Sequence, residues 1–139
     1  SWREGFQVEE ELFTGPMGVD TLDFSFRDGS GLSAYNLVTP RGLVRILDFM
    51  RSSPQGEIFR HALAEPGEEE GTLRSRIEGL EGRVYAKTGT ITHVNSLSGY
   101  LVAADGRDLI FSVLTNGSGL PSGLVRQAID AVARTASRH

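Results

Sequence analysis

From Arg83 to Thr115 the apolar residues fall on alternate positions, and that period constrains the fold more than any other feature of the chain. Arg83–Thr88 reads as one strand. Leu97–Ala104 and Asp108–Thr115 read as two more, joined through Asp105-Gly106, a dipeptide suited to a tight hairpin. In the last of these, Leu109, Phe111 and Val113 point to one side, and Ile110 and Leu114 to the other. Bulk on both faces implies a sheet covered on both sides.

Elsewhere the period is helical. Trp2 to Phe13 places apolar residues at 2, 6, 12 and 13 among charges, and Thr14-Gly15-Pro16 ends that helix. Leu22–Phe26 suggests a short strand, and Asp28-Gly29-Ser30-Gly31 a turn. Thr39 can cap a helix that opens on Pro40. Its Leu43, Ile46, Leu47 and Met50 form one buried stripe, and Ser52-Ser53-Pro54 stops it. A short helix over 56–63 and a helical turn over 72–77 follow. After Asn116-Gly117, Ser122 is the expected cap of a last helix with the stripe Val125, Ala128, Ile129, Val132 and Ala133. Arg134 and Arg138 complement the negative end of its dipole. The expected class is α/β: three antiparallel strands with helices on their faces.

A length of 139 residues with 39% hydrophobic and 23% charged residues suits one domain with a core. The net charge of −4 gives no reason to expect a nucleic-acid partner. With no cysteine, disulfides, thiolate metal sites and a cysteine nucleophile are excluded. The run Glu65-Pro66-Gly67-Glu68-Glu69-Glu70 lacks the alternating ligands of a calcium loop and reads as a solvated loop. His61 and His93 stand alone, without a second ligand at metal spacing, so no metal and no cofactor is expected. Trp2 and Tyr85 read as packing residues.

The chemistry points elsewhere. Of the 14 lysine and arginine residues only one is lysine, and it stands in Lys87-Thr88-Gly89-Thr90, directly after the apolar Val84-Tyr85-Ala86. A Lys-Thr-Gly at the end of a strand is a signature of serine acyl-enzymes that handle penicillin or D-alanyl peptides. Composition alone supplies such a tripeptide in about one chain in ten of this length, so its neighbours must carry the case. The second segment is Asp28-Gly29-Ser30-Gly31-Leu32-Ser33-Ala34-Tyr35-Asn36-Leu37, a serine and an asparagine in a glycine-rich loop before the capped helix.

Asp28–Asn36, Leu37-Val38-Thr39-Pro40, Ala86–Thr90 and Ser96-Leu97-Ser98-Gly99-Tyr100 together resemble one family. It is the low-molecular-mass class C penicillin-binding proteins, the D-Ala-D-Ala carboxypeptidase/endopeptidases. The likeness runs through nearly the whole chain but covers only the carboxy-terminal segment of such an enzyme. It implies a penicillin-binding/β-lactamase-like transpeptidase fold and an acyl-enzyme mechanism on peptidoglycan stem peptides, with β-lactams as ligands. It also implies an extracytoplasmic location, because the cell-wall substrate lies there. Ser33 matches the serine that passes protons beside the nucleophile. The family's asparagine stands two residues after that serine; here Tyr35 holds that place and Asn36 follows, and the role passes to Asn36. Lys87 matches the lysine that supplies positive charge beside Ser33 and the substrate carboxylate. Thr88 and Thr90 would hydrogen-bond that carboxylate, Gly89 would keep the strand surface bare for substrate, and the Thr90 N–H would be half of the oxyanion hole.

The family's nucleophile lies in Ser-x-x-Lys. That motif is absent here, because the only lysine is Lys87 and position 84 is valine. The chain therefore reads as residues 1–139 of a larger enzyme, inactive alone, whose natural partner is the missing amino-terminal part. Separated from that part it is expected to be marginally stable or to self-associate. The rival readings are a fragment of a serine β-lactamase or esterase, and a non-catalytic module that binds cell-wall peptide or a protein.

Overall fold

A computed structural model describes the backbone of residues 2–139 and the side chains from residue 4 onward; the Trp2 side chain lies outside the described residues. The chain runs α1 (Trp2–Thr14), a 3-10 turn (Thr21–Asp23), β1 (Phe24–Ser25), β2 (Leu37–Val38), α2 (Pro40–Arg51), α3 (Gly56–His61), β3 (Val84–Ile91), β4 (Val94–Val102), β5 (Asp108–Asn116) and α4 (Ser122–Ala136). Strands β3, β4 and β5 form an antiparallel sheet in that order, and β1 and β2 form a separate two-stranded ribbon.

The sheet is an antiparallel meander, as its period predicts, and it is covered on both faces. On one face Val84, Ala86, Leu97 and Leu101 pack against Val125, Ile129 and Ala133 of α4, closed over by Leu73, Ile77 and Leu80. On the other face the buried Tyr100 reaches α2, where its hydroxyl donates to the Leu47 carbonyl at 2.8 Å. Arg60 of α3 lies over the Tyr85 and Tyr100 rings, 5.0 and 5.4 Å from their centroids, and pairs with Asp108 at 3.1 Å. Tyr85 is thus a packing residue.

A glycine sets the approach of β3 to β4. Gly99 stands opposite Ala86. A Cβ on Gly99 would meet the Tyr85 carbonyl and would lie 2.6 Å from Ala86 Cα. No other residue fits without moving β3.

Several elements differ from the sequence reading. Only Phe24–Ser25 of the expected 22–26 strand is extended. Asp20 captures the Leu22 N–H at 2.9 Å and winds Thr21–Asp23 into a 3-10 turn first. Its partner Leu37–Val38 is too short to show a period. Residues 72–77 make hydrogen-bonded turns rather than a helix, with Ile77 at φ 53°. Strand β3 continues past Thr88 to Ile91, and β4 begins at Val94, because Thr92-His93 turns the chain with His93 at φ 61°. Ser122 is the first residue of α4 and not its cap; Pro121 occupies the cap without a side-chain bond. Val125, Ile129 and Ala133 are buried, but Ala128 and Val132 face solvent, and Asp130 takes a buried position instead. There it forms a two-pronged pair with Arg76, at 2.6 and 3.2 Å.

Thr39 caps α2 as expected, its hydroxyl accepting the Gly42 N–H at 3.1 Å. The same hydroxyl donates to the buried Asp23 at 2.5 Å, and Arg41 grips the same carboxylate with Nε at 3.0 Å. The Arg41 guanidinium, and after it the Thr39 hydroxyl, hold the Asp23 carboxyl below its ordinary range. This cluster fixes the β1–β2 ribbon to the start of α2. Phe13 of α1 packs edge-on against Phe24 and Phe26, at 5.4 and 5.9 Å between centroids.

Candidate active site

Strand β3 presents its motif at a sheet edge. One edge pairs with β4 along its length. On the other, Ala86 exchanges both backbone bonds with Ala64, at 2.9 and 3.1 Å. Backbone groups of alternate residues point the same way in an antiparallel strand, so Thr88 and Thr90 share the outer edge with Ala86. Beyond the Ala64 bridge their N–H and C=O groups have no backbone partner among the described residues. A short open edge of this kind can accept an extended peptide as an added strand.

Side chains divide by face. Lys87 stands across from Ser98 and then Ser112 on the α2 face. It is exposed, and its ammonium donates to the Thr88 carbonyl at 2.6 Å. The Ser98 and Ser112 hydroxyls share a hydrogen bond at 2.8 Å, so a polar row crosses the sheet from Lys87. Thr88 and Thr90 lie on the α4 face, one face for both, as strand geometry requires. The Thr88 hydroxyl donates to Thr72 Oγ1 at 3.0 Å, and the Thr90 hydroxyl donates to Oδ1 of the buried Asn95 at 3.4 Å. Gly89 has a structural reason of its own: a Cβ there would collide with the Ser96 hydroxyl on β4.

Ser33 and Asn36 sit in the loop that joins β1 to β2. The Asn36 amide organises this loop. Its Oδ1 accepts the Arg27 N–H at 2.7 Å, and its Nδ2 donates to the Asp28 carbonyl at 2.9 Å. Asp28 in turn accepts the Ser30 hydroxyl at 2.6 Å and the Ser30 N–H at 2.9 Å. The Ser30 hydroxyl and then the Ser30 N–H hold the Asp28 carboxyl below its ordinary range, with smaller help from Ser33 and Asn36. Ser33 Oγ accepts the Tyr35 N–H at 3.2 Å.

The six sequence candidates thus form two groups. Lys87, Thr88, Gly89 and Thr90 are contiguous on β3, while Ser33 and Asn36 share one loop. No hydrogen bond joins the groups among the described residues. Thr72 and Asn95, which hold the two threonine hydroxyls, escaped the sequence reading. Asn95 had a signal in its register, six residues before the Leu101 that pairs with Val84; Thr72 had none.

The chain belongs to the D-Ala-D-Ala carboxypeptidase 3 (S13) family, whose model matches residues 1–138. It is 40% identical over 139 residues to a D-alanyl-D-alanine carboxypeptidase of Actinomadura, a match that covers 96% of this chain and 25% of that protein. It is 28% identical to penicillin-sensitive carboxypeptidase A of Dictyostelium discoideum, over 91% of this chain and 26% of that protein. The chain therefore spans about a quarter of the length of these relatives. Its fold matches penicillin binding protein 4 of Haemophilus influenzae in complex with a β-lactam, with TM-score 0.84 and 23% identity over 100% of this chain and 34% of that one. A predatory endopeptidase of Bdellovibrio bacteriovorus, in complex with an immunity protein, shares the fold at TM-score 0.74 and 19% identity, over 94% of this chain and 37% of that one.

Proposed function

We propose that residues 1–139 are the carboxy-terminal segment of an extracytoplasmic serine D-Ala-D-Ala carboxypeptidase/endopeptidase. The observation that carries this reading is the outer edge of β3, closed at Ala86 by Ala64 and open at Thr88 and Thr90 beside the only lysine. A D-alanyl peptide lies along that edge as an added strand. The Thr90 N–H provides half of the oxyanion hole, and its hydroxyl, turned away from Asn95, binds the terminal carboxylate together with that of Thr88. Lys87 supplies positive potential from the opposite face. Gly89 keeps β3 flat against β4. Ser33, whose hydroxyl receives the Tyr35 N–H and turns its own proton toward the Asp28 carboxylate, is the candidate proton carrier. Asn36 serves Ser33 by folding its loop. The nucleophile comes from the remainder of the enzyme, which packs on the polar row of Lys87, Ser98 and Ser112.

The test is acylation by a fluorescent penicillin followed by denaturing mass analysis. The full-length polypeptide gains the mass of one penicillin, and residues 1–139 alone gain none. A penicillin adduct on the isolated chain overturns the division of labour; no adduct on the full-length polypeptide overturns the enzymatic reading.

A further inference from the structure

The Thr88–Thr72 contact has no part in the scheme above, and its proton count is informative. A threonine hydroxyl carries one proton and two acceptor lone pairs. Here Thr88 spends its proton on Thr72 Oγ1 at 3.0 Å. It cannot also donate to a carboxylate in that arrangement. The Thr72 hydroxyl makes no other hydrogen bond among the described residues, and the residue is exposed, so its rotor is free. When an anion reaches the edge of β3, Thr88 can turn its proton outward while Thr72 reverses and donates to Thr88 Oγ1. The contact survives with opposite polarity. Thr88 is then both an acceptor and a charge-assisted donor, and each bond polarises the other.

Thr72 comes from the 71–79 turns, 16 residues away in sequence, whose Leu73 and Ile77 are fully buried in the core. Its backbone is therefore anchored directly after an exposed hydroxyl. We infer that Thr72 is a positioning residue, acting through Thr88 in a reversible hydroxyl relay that recognises the free α-carboxylate of the residue released from the substrate. This inference rests on the functional reading above and deepens it. It adds Thr72 to the residues that set how tightly that carboxylate is held.

The experiment uses the full-length polypeptide with two acyl donors. One is a D-Ala-D-Ala peptide with a free carboxylate, and the other an activated thioester whose leaving group carries none. Thr72→Val raises KM for the carboxylate donor about fivefold, leaves its kcat unchanged, and leaves the thioester unaffected. Thr72→Ser restores the wild-type KM, which a merely structural effect of the β-branched side chain does not do. Thr88→Val weakens the carboxylate donor about tenfold, and Thr72→Val added to it costs almost nothing further. Equal losses on both donors, a fall in kcat alone, or full additivity of the two substitutions overturns the relay and leaves the functional reading standing. A wild-type polypeptide that cleaves neither donor and takes no penicillin overturns both.

Discussion

Substituting Gly99 tests whether β3 is held where the site requires it. In Gly99→Ala the new methyl carbon begins 2.6 Å from Ala86 Cα and 2.8 Å from Ala86 Cβ, with the Tyr85 carbonyl closer still. The obstacles include backbone, so no rotamer change relieves them. Ordinary carbon contacts require β3 to retreat by about 1 Å. That retreat stretches the β3–β4 hydrogen bonds next to Ala86 and disturbs the Ala64–Ala86 bridge on the opposite edge. Overpacking of this kind costs about 1–3 kcal/mol, and the weakened ladder places Gly99→Ala at the upper end, about 3 kcal/mol. Urea unfolding gives the stability, and hydrogen–deuterium exchange over 84–102 localises it. In the full-length polypeptide, penicillin acylation falls in parallel, because Lys87 follows the displaced Ala86. A variant with unchanged stability and unchanged protection of Ala86 and Lys87 amides would refute the argument that Gly99 sets the position of the strand.

Asp130→Ala leaves the Arg76 guanidinium unpaired beside the α4 core and destabilises the protein by about 3–5 kcal/mol, measurable by chemical denaturation. The depressed Asp23 carboxyl contributes stability that is fully present above its ordinary value of 3.8 and is lost as pH falls through the lower folded value. Acid unfolding followed by circular dichroism is therefore less steep in Asp23→Asn, below about pH 4, than in the wild type. Lys87→Met removes the one ammonium at the edge and slows penicillin acylation of the full-length polypeptide about a hundredfold, read by rapid-quench labelling, with little change in melting temperature.

Legibility in the sequence followed length and period. The meander from Val84 to Asn116 and the amphipathic α2 were readable because each buries a face that repeats over many residues. The β1–β2 ribbon was half hidden, since two-residue strands carry no period and Asp20 winds the preceding residues by a purely local bond. On α4 the apolar stripe was read too wide: Val132 looks like a core residue by spacing, whereas the buried position belongs to Asp130 because Arg76 arrives from 54 residues away. The site shows the same limit. Lys87 was conspicuous as a lone residue type, and the family resemblance added Thr88 and Thr90, which alternation places on one face. Thr72 depends on how an irregular segment folds over the sheet, which no spacing rule encodes. Asn36 was visible as a residue; that its amide is consumed by Arg27 and Asp28 depends on loop geometry.

The meander has a kinetic consequence. Strands β3, β4 and β5 are spatial neighbours in the order in which they are linked, through turns centred on Thr92-His93 and Asp105-Gly106, and α4 follows directly. The loops to be closed are short and their entropy cost is low, so this stretch has the low contact order of fast-forming structure. The edge bearing Lys87 thus belongs to the part of the chain that organises soonest. Ser33 reaches its final position only once a ribbon some fifty residues upstream has been fastened through Asp23, so the two groups of candidate residues mature on different clocks.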